Sequence, residues 1–111
     1  MDITGWQTQL RKGAAELVVL AALDGVERYG LQILEAAGGA GGVVSEGSLY
    51  PLLNRLERDG KLTARWSFDE GAAHPRKYYR LSADGEALLK TMRPIWIEFR
   101  GAISAIVEPS R

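Results

Sequence analysis

At 111 residues the chain has the length of one domain with a modest core. Fourteen Lys and Arg balance fourteen Asp and Glu, so global charge selects no partner. With no cysteine, disulfides and thiolate chemistry are excluded and a cytoplasmic setting is expected.

In chain order, Trp6, Leu10, Ala14, Leu17, Val18 and Ala21 recur at helical spacing and predict a helix from Trp6 to Asp24, with Gly25 as its stop. Its second half, apolar nearly all round, predicts a central, buried position. The run Leu17 to Leu23 is too short to span a bilayer, and no signal peptide precedes it, so no membrane partner is expected. A short helix follows from Tyr29 to Ala37, with Ile33, Leu34 and Ala37 on one face. Four glycines in the five residues Gly38 to Gly42 then enforce a flexible connection, at about 1 kcal/mol lost per Gly relative to Ala in a helix.

Leu49, Leu52, Leu53 and Leu56 form the apolar stripe of a third helix, closed by Asp59 and Gly60. Its other face carries Ser48, Tyr50, Pro51, Asn54, Arg55 and Arg58. Proline is comfortable only in a first turn, so either Ser48 is the cap or the helix begins near Ser45 and tolerates Pro51; the earlier start is favoured. Leu62, Ala64, Trp66 and Phe68 alternate with Thr63, Arg65 and Ser67, a half-buried strand. A second alternation sets Lys77, Tyr79 and Leu81 against Arg76, Tyr78 and Arg80, completing a hairpin with a loop of about seven residues. Ser82 caps a last helix from Ala83 to Val107, in which Pro94 predicts a kink. Leu88, Met92, Ile95, Phe99, Ala102 and Ile106 follow heptad spacing, with Leu89, Trp96 and Ile103 alongside. That face is wider than one small domain can cover, which points to a homodimer.

Catalysis is poorly supplied. One histidine, His74, lies in a turn, and no His, Asp or Glu set has metal-ligand spacing. The glycine run follows a helix rather than a strand and lacks the ending of a phosphate loop. An enzyme is not expected, and neither is a metal or another cofactor. Binding has more material. Arg55 to Arg80 holds seven bases against four acids and stands at +3, leaving the remainder at −3. The order helix, turn, polar-faced helix, basic hairpin is that of a winged helix-turn-helix: mainly α with a small β-hairpin, plus a long C-terminal dimerisation helix. Residues 1–82 are expected to form the DNA-binding part and 83–111 the dimerisation helix, within one compact unit.

The stretches "SEGSLYPLLNRLERDGKL" and "PRKYYRLSADGEALL", together with "LRKGAAELVVLAALDGVERYGLQIL", resemble the PadR family of bacterial transcriptional regulators, in its compact subgroup with a short C-terminal helix. The resemblance covers nearly the whole chain. It implies a dimeric winged-helix repressor, released from a double-stranded DNA operator by a small effector. It places Ser48, Tyr50, Pro51 and Asn54 in the recognition helix and Arg76, Lys77 and Tyr78 in the wing. Arg55 and Arg58 join them as candidate DNA contacts. Leu88, Met92, Ile95, Trp96, Phe99, Ile103 and Ile106 are the candidate dimer interface. Two readings of Trp96 stay open: a large ring packed in that interface, or a platform for a flat aromatic effector. The wing tip Ala72-Ala73-His74 departs from the basic or Gly-rich tip of the family. The rival function is a winged-helix protein-interaction module without DNA binding.

Overall fold

The computed structural model describes residues 1–38, 42–68, 71 and 73–109. Helix α1 (Thr4–Ala22) is followed by a two-residue strand β1 (Arg28–Tyr29) and helix α2 (Gly30–Gly38). Helix α3 (Glu46–Arg58), strands β2 (Leu62–Ser67) and β3 (Arg76–Leu81), and helix α4 (Ala83–Val107) complete the chain. The sheet is antiparallel in the order β1-β3-β2. Val19, Leu20 and Leu23 meet Ile33, Leu49, Leu53, Leu56, Tyr79, Leu81 and Leu89 in one core. These are the elements the sequence predicts for a winged helix, with one addition: β1 is too short to show a period in sequence. Most of the glycine connection (39–41) and part of the wing tip (69, 70 and 72) lie outside the described residues.

Local chemistry explains the boundaries. Ser45 and Ser48 cap α3 reciprocally: the Ser48 N–H donates to Ser45 Oγ (3.3 Å) and the Ser45 N–H to Ser48 Oγ (3.2 Å). The helix therefore begins at the earlier of the two candidate starts and carries Pro51 inside it. At its end Gly60, at φ +77°, lets the Lys61 N–H return to the Leu56 carbonyl. α1 ends at Ala22, two residues before the expected Asp24; the Arg28 guanidinium donates to the Ala22 carbonyl (2.8 Å) and Gly25 turns the chain at φ +69°.

Two burial expectations are corrected, on β2 and on α4. On α1, where helical spacing named no inward face, the stripe Trp6, Leu10 and Ala21 is exposed, and Val19 and Leu20 of the expected buried half enter the core with the following Leu23. The helix has two apolar faces, and the second one meets α4 rather than the core. β2 ends at Ser67, one residue before the expected Phe68, and only its first half is covered: Leu62 is buried, but Trp66 and the following Phe68 are exposed because the chain runs past the end of the core. On α4 the seam divides. Leu88 and Met92 pack against the chain's own core, whereas Ile95, Trp96, Phe99, Ile103 and Ile106 are exposed. α4 runs through Pro94 as one element of 25 residues, most of which extends beyond the core.

Candidate nucleic-acid interface

At about 100° per residue, the polar face of α3 resolves into a ridge and two flanks. Leu49, Leu53 and Leu56 point inward and are fully buried. Pro51, Asn54 and Arg58 lie opposite them, all exposed. Tyr50 and Glu57 fall on the flank toward the wing, where Glu57 receives the Lys77 ammonium at 2.8 Å. Ser48 and Arg55 fall on the flank toward α1, where Arg55 meets Glu16 at 3.4 Å. The polar face is thus three surfaces by helix geometry, and tertiary packing gives the two flanks their different neighbours.

On the wing flank, Tyr50 and Arg76 line one cleft of about 190 Å³ with Tyr29, Gly30, Leu31 and Lys77. The Tyr50 ring lies directly over Gly30. A Cβ there would stand 2.8 Å from Cε1 and 2.9 Å from Cζ of that ring, so only glycine leaves Tyr50 its place. Asn54, on the ridge, makes no side-chain hydrogen bond among the described residues. Arg58 is the most exposed of the paired cations, and its only ion pair among the described residues is with Asp59 at 3.5 Å.

The outer face of the sheet carries a ladder of charge and aromatic rings. Glu27 accepts from Arg65 Nε (2.9 and 3.0 Å) and Nη2 (2.6 Å). The Arg65 guanidinium lies 4.8 Å from the Tyr78 ring centre, Tyr78 meets Tyr29 edge-on at 5.4 Å, and Arg76 lies 4.7 Å from the Tyr29 ring. Register places them together, since Arg65 and Tyr29 both stand opposite Tyr78. Each exposed cation–ring contact contributes about 0.5–1 kcal/mol and, more usefully, fixes where the guanidinium sits. Sequence reasoning missed Glu27 and Arg65 as members. Arg65 was legible only as an outward residue of β2, and Glu27 precedes a strand too short to read.

Lys77 sits on the other face of β3. Its ammonium is held by Glu57 and lies 5.4 Å from the Tyr79 ring and 5.8 Å from that of Trp66. The hydrogen bond to Glu57 raises the Lys77 pKa, and the Arg65 hydrogen bonds lower that of Glu27. The signs differ in consequence. The Lys77 contribution to stability is lost only as pH rises through that raised value, and the Glu27 contribution only as pH falls through its depressed one. Near neutrality both contacts are in place. Of the nine sequence-level DNA candidates, Tyr50, Arg76 and Lys77 are brought to one cleft and Tyr78 stands behind Arg76. Pro51, Asn54 and Arg58 form the ridge, while Ser48 and Arg55 face α1.

A family description matches this arrangement. Residues 19–91 match the model of the transcriptional regulator PadR-like family. A transcriptional regulator of Mycobacterium tuberculosis is 33% identical over 81 residues, covering 73% of this chain and 74% of that one. The chain belongs to the PadR-like family of transcriptional regulators. Solved PadR structures share its fold along almost the whole length. A PadR-like transcription factor from Bacteroides fragilis superposes with a TM-score of 0.73 at 33% identity, covering 93% of this chain and 99% of that one. A PadR regulator from Eggerthella lenta gives 0.78 at 29%, covering 97% and 94%. These PadR relatives are regulators of transcription rather than enzymes, and the winged-helix architecture expected from the sequence is the one they share.

Proposed function

We propose that this chain is a cytoplasmic, homodimeric transcriptional repressor that binds a specific double-stranded DNA operator and releases it on binding a small aromatic effector. The observation that carries the DNA-binding reading is the convergence of Tyr50 from α3 and Arg76 from β3 on one cleft beside the open ridge of Pro51, Asn54 and Arg58. A helix about 10–12 Å across fits a major groove about 12 Å wide, and the ridge then faces base edges while the wing reaches the backbone. Asn54 is the base reader in this reading, and Arg58 extends the ridge toward the flanking backbone. Arg76 contacts phosphate, held on the Tyr29 ring, which Tyr78 in turn braces edge-on. Lys77 ties the wing strand to the recognition helix through Glu57.

A mobility shift on the duplex upstream of the chain's own gene tests this. Binding is expected to survive excess random duplex; no shift at about 50 mM salt, where phosphate contacts are strongest, would instead favour a protein-interaction module. Arg76→Ala is expected to weaken binding to every sequence and to flatten the dependence of log K on log salt by about one unit. Lys77→Ala should lower affinity with the slope unchanged, and Asn54→Ala should erode discrimination at particular base pairs by about 1–3 kcal/mol.

The effector reading rests on the groove of about 640 Å³ between α1 and α4, which holds two indoles, Trp6 and Trp96, with Leu10, Leu17, Phe99 and Ile103. A flat aromatic compound stacking there is expected to quench Trp96 saturably and, by linkage, to lower operator affinity. Trp6 shares the groove, so the measurement compares Trp6→Phe, Trp96→Phe and the parent protein, each with Trp66→Phe. Quenching that persists without Trp96, or none across flavins, phenolic acids and cationic dyes, leaves Trp96 as packing.

A further inference from the structure

The wing accounts for one flank of α3, and a separate cleft of about 240 Å³ lies along the other, between α1 and the start of the recognition helix. Thr8, Arg11, Lys12 and Ala15 line it from α1, where spacings of three and four put them on one helical face. Ser45 and Ser48 line it from α3 and the turn before it. Arg11 and Lys12 are exposed, and neither has an ion-pair partner among the described residues. Among the described residues no carboxylate lines the cleft. Glu46, the acid of the first turn of α3, is outside it, and Glu16, one turn beyond Lys12, is engaged by Arg55.

The contrast with the cations of α3 itself matters. Arg55 is shared between Glu16 and Asp59, and Arg58 is drawn to Asp59. The uncompensated charge on this side of the recognition helix therefore comes from α1, more than thirty residues earlier in the chain. A helix that fills a major groove lies between two sugar-phosphate walls. Arg76 stands on the wing flank, and Arg11 and Lys12 stand on the other.

We propose that Arg11 and Lys12 are phosphate contacts that clamp the recognition helix from the side opposite the wing. This rests on the DNA-binding reading above. It gives the protein two electrostatic holds per half-site instead of one, and it makes α1 a part of the DNA interface as well as of the apolar groove with α4.

The experiment measures affinity against salt for the full-length chain on the upstream duplex and on a random duplex of equal length. Lys12→Ala is expected to reduce affinity roughly eightfold at about 0.1 M salt on both duplexes and to flatten the slope by about one unit. The double Arg11→Ala, Lys12→Ala variant should flatten it by about two. Alanine is the best helix former and both side chains are exposed, so folding is not at risk. Arg11 also borders the α1–α4 groove, which makes Lys12 the deciding position. Lys12→Arg should restore both affinity and slope. Lys90→Ala, an exposed cation of α4 away from the recognition helix, is expected to leave both unchanged. An unchanged slope for Lys12→Ala, whether or not affinity falls, overturns the clamp while a flattened slope for Arg76→Ala leaves DNA binding standing. If the parent protein binds neither duplex at low salt, the DNA-binding reading falls and the clamp with it.

Discussion

Phe99→Asp is expected to yield a folded monomer whose operator affinity is lower by two or more orders of magnitude. Phe99 is 60% exposed on α4, beside Trp96 and Ile103 and across the groove from Trp6 and Leu10 of α1. The α4 residues buried in the chain's own core are Gly85 and Leu89, both near its start, so a charge at position 99 should not disturb the core. Ile95, Trp96, Phe99, Ile103 and Ile106 together form an apolar surface of the kind that monomeric proteins rarely leave open. A second copy is the partner we propose for it, because two-fold pairing would present two recognition helices to half-sites about 34–36 Å apart. An aspartate in that interface would be buried without a partner, and losing the second half-site removes the avidity of paired binding, typically about 10²–10⁴-fold. Sedimentation at micromolar concentration and a mobility shift decide the matter together. A parent protein that sediments as a monomer, or a Phe99→Asp variant that remains dimeric, contradicts the proposed interface.

Gly85→Ala is expected to destabilise the fold by about 2–4 kcal/mol and to lower the melting midpoint by roughly 10–20 °C. Gly85 is buried in the first turn of α4, where a Cβ would collide with the Lys61 carbonyl oxygen. That carbonyl accepts the Ser82 N–H (3.0 Å), while Ser82 Oγ donates to the Gly60 carbonyl (2.6 Å) and accepts the Gly85 N–H (3.0 Å). Backbone is thus packed on backbone at the junction of β2, β3 and α4, and no side chain can swing aside to make room. Relief would need α4 to lift from the start of β2, loosening Leu81 and Leu89 from the core. Thermal unfolding followed by circular dichroism measures the effect. A midpoint within about 3 °C of the parent would show that the junction yields more easily than this packing implies.

The order of the elements was legible in the chain because each rests on local signals. The leucine spacing of α3, the serine cap near Ser45, the alternation around Tyr79 and the serine before α4 all act over a few residues, so periodicity and capping chemistry determine them. The family was legible for a related reason: its two central motifs are contiguous in sequence.

What only the tertiary structure decided is which face meets what. Trp6 and Leu10 were legible as helical from their spacing, but spacing does not say which of two apolar faces turns inward. Only the position of α4 settles it. Leu88 and Ile95 belong to one heptad seam, yet the core ends between them, so one is packed and the other exposed. Arg76 and Lys77 are neighbours in sequence and opposites in space, since successive side chains of a strand point to opposite faces. One stacks on Tyr29 and the other pairs with Glu57 on α3. Arg11 and Lys12 carried no signal at all, because their closeness to Ser48 is created by packing between elements more than thirty residues apart. The sequence determined the elements through interactions within a turn or two. The surfaces were decided by long-range packing, which no local period encodes.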